Sequence, residues 1–166
     1  MRLELERKLI ERWPTWFDVN GSLQQTLMPF GCEHGDGWFN LLWRLCEDLE
    51  PLVAKYEKQT GHRFQVVQVK EKFGGLRFYV ANANDVIRQR IELAELESLK
   101  SCELCGKPGR RRIDGWINVL CDEMPTEEQH LAQRRRNECP QLRRSGTKPG
   151  DSGSAQTASV NRADAI

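Results

Sequence analysis

One stretch of this chain leaves little freedom in how it can fold. Trp38, Leu41, Leu42, Leu45, Cys46, Leu49, Leu52, Val53 and Tyr56 recur at intervals of three and four residues. That spacing stacks side chains on one face of an α-helix. A helix with a continuous apolar stripe must bury it against another layer, so the segment predicts the central element of a packed core. Asp36 is the expected N-cap, Pro51 predicts a kink or a restart, and Gly61 ends the run.

The layer to pack against follows directly. Phe64 to Val69 and Leu76 to Val80 are rich in β-branched and aromatic residues and flank Phe73-Gly74-Gly75, a pattern that reads as a β-hairpin. Leu76, Phe78 and Val80 fall on one face, Arg77 and Tyr79 on the other. Asn84 or Asp85 then caps a helix running to about Leu99, with Val86, Ile87, Ile91, Leu93, Ala94 and Leu96 as its apolar positions. Upstream, Leu3, Leu5, Leu9 and Ile10 form a short amphipathic helix that stops ahead of Trp13-Pro14. Residues 13–35 are expected to wrap the core as a loop anchored by Trp13, Trp16, Phe17 and Phe30. The fold class is therefore α+β: helices on a small antiparallel hairpin, joined to a small cysteine knuckle of zinc-ribbon type and a disordered C-terminal tail. Boundaries are expected at 1–101 for the core, 102–140 for the knuckle and 141–166 for the tail, where glycine, serine, alanine and threonine dominate and cannot offset ordering entropy.

Charge excludes little. Lys plus Arg number 25 and Asp plus Glu 24, so the whole molecule carries no strong field toward nucleic acid. The arginines are uneven, however, with Arg110-Arg111-Arg112, Arg134-Arg135-Arg136 and Arg143-Arg144 all in the last third. No apolar run approaches the roughly 20 residues of a bilayer span, and the start of the chain lacks the apolar region of a signal peptide. A cytoplasmic protein without a membrane partner is the expectation, and its six cysteines read as thiols or metal ligands rather than disulfides.

Cys102-Glu103-Leu104-Cys105-Gly106 is a C-x-x-C-G turn, and Cys121 follows at hairpin distance. Thiolates two residues apart in a tight turn can share one tetrahedral ion. Arg110 to Ile113 and Trp116 to Leu120 would supply two short strands between the ligands. Cys102, Cys105, Cys121 and His130 are the expected ligands of a structural zinc ion, with Cys139 the next choice for the fourth position. A capping box at Thr126-Glu127-Glu128-Gln129 starts a last helix that would carry His130. Two other readings compete: a knuckle that no longer binds metal, and thioredoxin-like redox work. The latter wants its cysteine pair between a strand and a helix, and here the pair follows a helix.

Three stretches resemble a group of small uncharacterised proteins from bacteria and their phages: Phe30 to Phe39, Val67 to Val80 with its Lys-Glu-Lys-Phe-Gly-Gly-Leu-Arg-Phe-Tyr-Val run, and Cys102 to Gly106. The resemblance covers roughly residues 30–123. It implies a bacterial or mobile-element origin and brings no activity with it. Relatives of that pattern end in Cys-Asp-Glu-His, whereas this chain has Cys121-Asp122-Glu123-Met124, a departure that removes the fourth ligand the pattern would supply.

Other constellations have a functional and a bland reading. Lys70, Lys72 and Arg77 make either a basic loop for phosphate or a solvated hairpin end. Gln68-Val69-Lys70 is similar to the acid-x-lysine strand of metal-dependent nucleases, with Glu33, Asp36 or Glu71 as the partnering acid. Cys32-Glu33-His34-Gly35-Asp36 gathers a nucleophile, a base and acids, and also suits a plain turn into the long helix. Asp36-Gly37-Trp38 is echoed by Asp114-Gly115-Trp116, each placing a turn before a tryptophan expected to be buried. Together these features point to a small binding or regulatory module acting on a protein or nucleic-acid partner. A metal-dependent nuclease-like enzyme and a structural accessory protein of a phage or mobile element are the alternatives.

Overall fold

A computed structural model describes residues 1–113 and 116–123. The expected helix from Thr126, His130, Cys139, Met124 and the tail all lie outside the described residues. Helix α1 spans Leu3–Arg12 and α2 spans Phe39–Thr60. Strands β1 (Gln65–Lys72) and β2 (Gly75–Ala81) form the hairpin, α3 covers Asp85–Ser98, and β3 (Arg110–Arg112) pairs antiparallel with β4 (Asn118–Leu120). The architecture is α+β, as the periodicities predict.

Helix α2 buries Leu41, Leu42, Leu45, Cys46, Leu49 and Val53, the stripe read from the sequence. It runs through Pro51 as one continuous helix, so of the kink or restart expected there the restart does not occur. Proline removes one helical hydrogen bond and costs about 3 kcal/mol, but Leu49 and Val53 on either side of it are buried, and their packing outweighs that loss. Gly61 closes the helix at φ 72. Asp36 does not cap it: residues Asp36–Trp38 form a 3-10 turn, and the Asp36 carboxylate instead accepts from the backbone N–H and the guanidinium of Arg2.

The hairpin is a two-stranded sheet, which alone would be marginal and would expose two edges. Both edges are covered. Leu27 donates to Val67, Glu33 donates to Val69, and Glu71 donates to Glu33, so the 27–33 segment lies along β1 like an irregular third strand. On the other side α3 offers side chains to β2: Ser98 Oγ accepts from Leu76 N–H at 2.9 Å and Glu95 Oε1 from Phe78 N–H at 3.0 Å. The register slips at Val67, a bulge between Val66 and Gln68.

Asn84 caps α3, its side-chain oxygen accepting from Ile87 N–H at 3.0 Å. Of the expected apolar positions, Ile87, Ile91 and Ala94 turn inward, whereas Val86, Leu93 and Leu96 are exposed. One helix face can meet the core, and those three residues fall off it. The wrap is pinned by its aromatics: Trp13 meets Trp43 edge-on at 5.0 Å and Trp16 meets Phe64 at 5.1 Å. Phe30 is not an anchor; it is exposed, as is Leu3 of α1.

Candidate metal centre

Three of the four expected ligands meet. The Sγ atoms of Cys102, Cys105 and Cys121 all lie within 4.8 Å of one another, and those of Cys105 and Cys121 are 3.5 Å apart. Zinc–sulfur bonds of about 2.3 Å in a tetrahedron separate the sulfurs by roughly 3.8 Å, so the spacing fits one ion. Among the described residues this is the only trio of histidine, cysteine or acidic side chains close enough to hold a metal.

Local chemistry builds the cluster. Gly106 N–H donates to Cys102 O at 2.8 Å and closes the turn between the paired cysteines, while Cys102 N–H donates to Lys107 O at 2.8 Å. The β3–β4 hairpin returns the chain so that Cys121, just past β4, stands beside Cys105. Cys102 and Cys121 are buried with Leu104 and Leu120 in a small apolar cluster of their own, and Cys105 is exposed. In the protein alone the Cys105 thiol is pushed up to about 11, first by desolvation and then by hydrogen bonds with Cys102 and Cys121. A bound cation reverses this logic, since thiols that coordinate a metal are deprotonated.

The knuckle is docked on the start of α2. Gly37 N–H donates to Glu103 O at 2.8 Å, Gly35 N–H to Glu103 Oε1 at 3.0 Å, and the Trp38 indole N–H to Ser101 O at 3.0 Å. Glu103 N–H in turn donates to Val119 O at 3.0 Å, tying the turn to β4. Gly37 is required by this approach: a Cβ there would fall 2.2 Å from Cys102 O and 2.4 Å from Gly106 N. The residue spacing does not single out Glu103, yet its side chain is buried at the centre of this joint.

The other candidate residues are placed differently. Glu33 does lie beside Gln68 and Lys70, with Gln68 Nε2 donating to Glu33 Oε2 at 3.0 Å. That gives the strand one neighbouring carboxylate, but the described residues gather no trio of acidic, histidine or cysteine side chains there that could hold an ion. The Cys32 thiol is buried and pushed up by desolvation, which disfavours the thiolate a nucleophile needs. His34 is buried too; its Nδ1 pairs with Gly35 O at 2.7 Å and its ring lies 5.6 Å from that of Trp38. The segment 32–36 is thus a structural turn under the knuckle. Its echo ends differently, since Trp38 is fully buried and Trp116 is 58% exposed. Lys70 and Lys72 sit on the outer side of the hairpin with no ion pair among the described residues, and their ammonium groups lie 5.6 Å from the Tyr79 ring and 5.5 Å from the Phe73 ring.

No helix among the described residues is long and apolar enough to cross a membrane. Set against known protein families, curated proteins and solved structures, the chain matches none of them.

Proposed function

We propose that this chain is a non-enzymatic binding module for a nucleic-acid partner, with a structural zinc ion on Cys102, Cys105 and Cys121 holding the knuckle together. One observation carries the reading: the three converging thiols form the sole candidate metal trio among the described residues, and it is wired into the fold through Glu103 and Gly37. The ion would act as a cross-link between turn and hairpin, and His130 is the proposed fourth ligand. Such a site is closed by protein ligands, as structural zinc sites are. The burial of the Cys32 thiol and the hydrogen-bonded, buried ring of His34 support a binding role over nucleophilic catalysis.

Nucleic acid is favoured over a protein partner because the first strand of the knuckle hairpin exposes Arg111 and an Arg110 that pairs with Asp122 at the surface, and the adjoining hairpin carries Lys70 and Lys72, which have no ion pair among the described residues. Free thiols ready for a metal suit a reducing, cytoplasmic compartment, and the resemblance of residues 30–123 supports a bacterial or mobile-element source. The test is chromatography of the full chain on heparin and on immobilised DNA. Retention released by salt is expected. Passage through both columns unretained at low salt would overturn the reading.

A further inference from the structure

The tip of the β1–β2 hairpin is unusual in a way its fold does not need. Phe73 and Gly74 form the two-residue turn, with φ 54 and 81. Positive φ at both positions is what a type I′ turn requires, and asparagine, aspartate or glycine normally supply it. A bulky aromatic residue there is strained. Burial does not compensate, since Phe73 is 62% exposed. Backbone strain spent on an exposed aromatic ring points to a use for that ring.

Its surroundings indicate which use. Gly74 packs against the backbone of Asn118, placing the hairpin tip beside β4 of the knuckle. Between the two lies an open cleft of about 520 Å³ lined by Lys70, Glu71, Lys72, Phe73, Trp116 and Ile117. That size is within the roughly 300–1,000 Å³ of ligand clefts. Two large aromatic side chains are exposed at its walls, Phe73 and Trp116, and Tyr79 extends the aromatic surface along the outer face of the hairpin. The two lysines have no ion pair among the described residues, whereas the one acid, Glu71, accepts from Gly74 N–H at 2.7 Å and holds the turn. Exposed rings beside cations match the chemistry of a single nucleic-acid strand, whose bases stack on aromatic faces and whose phosphates seek positive charge.

We infer that this cleft binds single-stranded nucleic acid, with unpaired bases stacked on Phe73 and Trp116 and the flanking phosphates held by Lys70 and Lys72. The inference rests on the binding-module reading and names its site and its partner. Duplex DNA presents no open base faces, so single strands should be preferred. The knuckle contributes Trp116, so the cleft is completed only when the knuckle is docked.

The experiment is fluorescence anisotropy of a labelled oligothymidine with the full chain, alongside the matching duplex and poly-glutamate as competitors. Phe73→Gly and Trp116→Ala should each weaken binding by about 5- to 150-fold, the loss expected for one stacked base. Both residues are exposed, and unchanged or raised urea midpoints would confirm that the variants fold. Lys70→Ala and Lys72→Ala should each lower the slope of log affinity against log salt by about 0.7. Oligothymidine bound as tightly by Phe73→Gly and Trp116→Ala as by the unaltered chain would overturn the site but leave the binding-module reading standing. Duplex or poly-glutamate competing as well as the single strand would overturn the choice of ligand. Absence of binding to any nucleic acid would overturn the site and the reading together.

Discussion

Replacing Gly37 with alanine tests how the knuckle is joined to the core. The new Cβ would sit 2.2 Å from Cys102 O, 2.4 Å from Gly106 N and 2.7 Å from Cys105 N, against 3.4–4 Å for ordinary contact. All three atoms are backbone, so no rotamer change relieves the clash, and the turn must retreat by about 1 Å. Two routes bound the cost. If the knuckle stays docked under strain, overpacking of this kind costs about 1–3 kcal/mol. If it lifts away, the hydrogen bonds from Gly35, Gly37 and Trp38 to Ser101 and Glu103 are lost, at about 1 kcal/mol each. The two routes together bound the destabilisation by Gly37→Ala at about 1–3 kcal/mol. Urea unfolding with linear extrapolation measures it. Gly61→Ala is the control, since Gly61 has positive φ but open space around it, and should cost only about 1 kcal/mol. A Gly37→Ala protein within about 0.5 kcal/mol of the original would refute the docked arrangement.

Other expectations follow from single contacts. Leu45 is fully buried, so Leu45→Ala should cost about 2–5 kcal/mol in the same denaturation assay; a change below about 0.5 kcal/mol would mean that α2 does not form the core. Asn84→Ala removes the bond to Ile87 N–H and should cost about 1 kcal/mol. Phe73→Gly should raise stability by about 1 kcal/mol while weakening binding, because it relieves positive-φ strain at an exposed position. Glu6 is held above its ordinary value of 4.5, chiefly by desolvation. A carboxyl group with a raised folded-state pKa binds its proton more tightly when folded, so its contribution is full below 4.5 and is lost as pH rises through the higher folded value. Thermal melts across that window should show the decline in the unaltered chain and a flatter profile in Glu6→Gln.

Local patterns in this sequence report what local physics decides. The period of α2, the Gly61 stop, the Asn84 cap and the two strands of each hairpin were legible because each depends on neighbours a few residues away. Asp36 was misread because its partner, Arg2, is remote in sequence, and a distant guanidinium outcompetes a local capping role. No restart occurs at Pro51 because the burial of Leu49 and Val53 overrides a backbone preference. Asp36-Gly37-Trp38 and Asp114-Gly115-Trp116 show the same limit, since a shared tripeptide ends in one buried and one exposed tryptophan. In the candidate metal centre the spacing of Cys102, Cys105 and Cys121 announced that the three thiols converge. It did not announce the seat: Glu103 matters through its bond to Gly35, and Gly37 through a close approach, both of which only the tertiary contact reveals. Phe73 was visible as part of a turn, but its exposure and its cleft with Trp116 depend on how the knuckle returns to the hairpin tip.

Whether the three thiols hold a metal decides what holds the knuckle together. Native mass spectrometry of the full chain, purified without chelator, reads this directly. About one zinc ion per chain is predicted, retained through gel filtration, and lost in Cys105→Ser, whose exposed side chain can change without disturbing the core. Metal-free protein that takes up no zinc when it is supplied, with a melting temperature unmoved by chelator, would contradict the account.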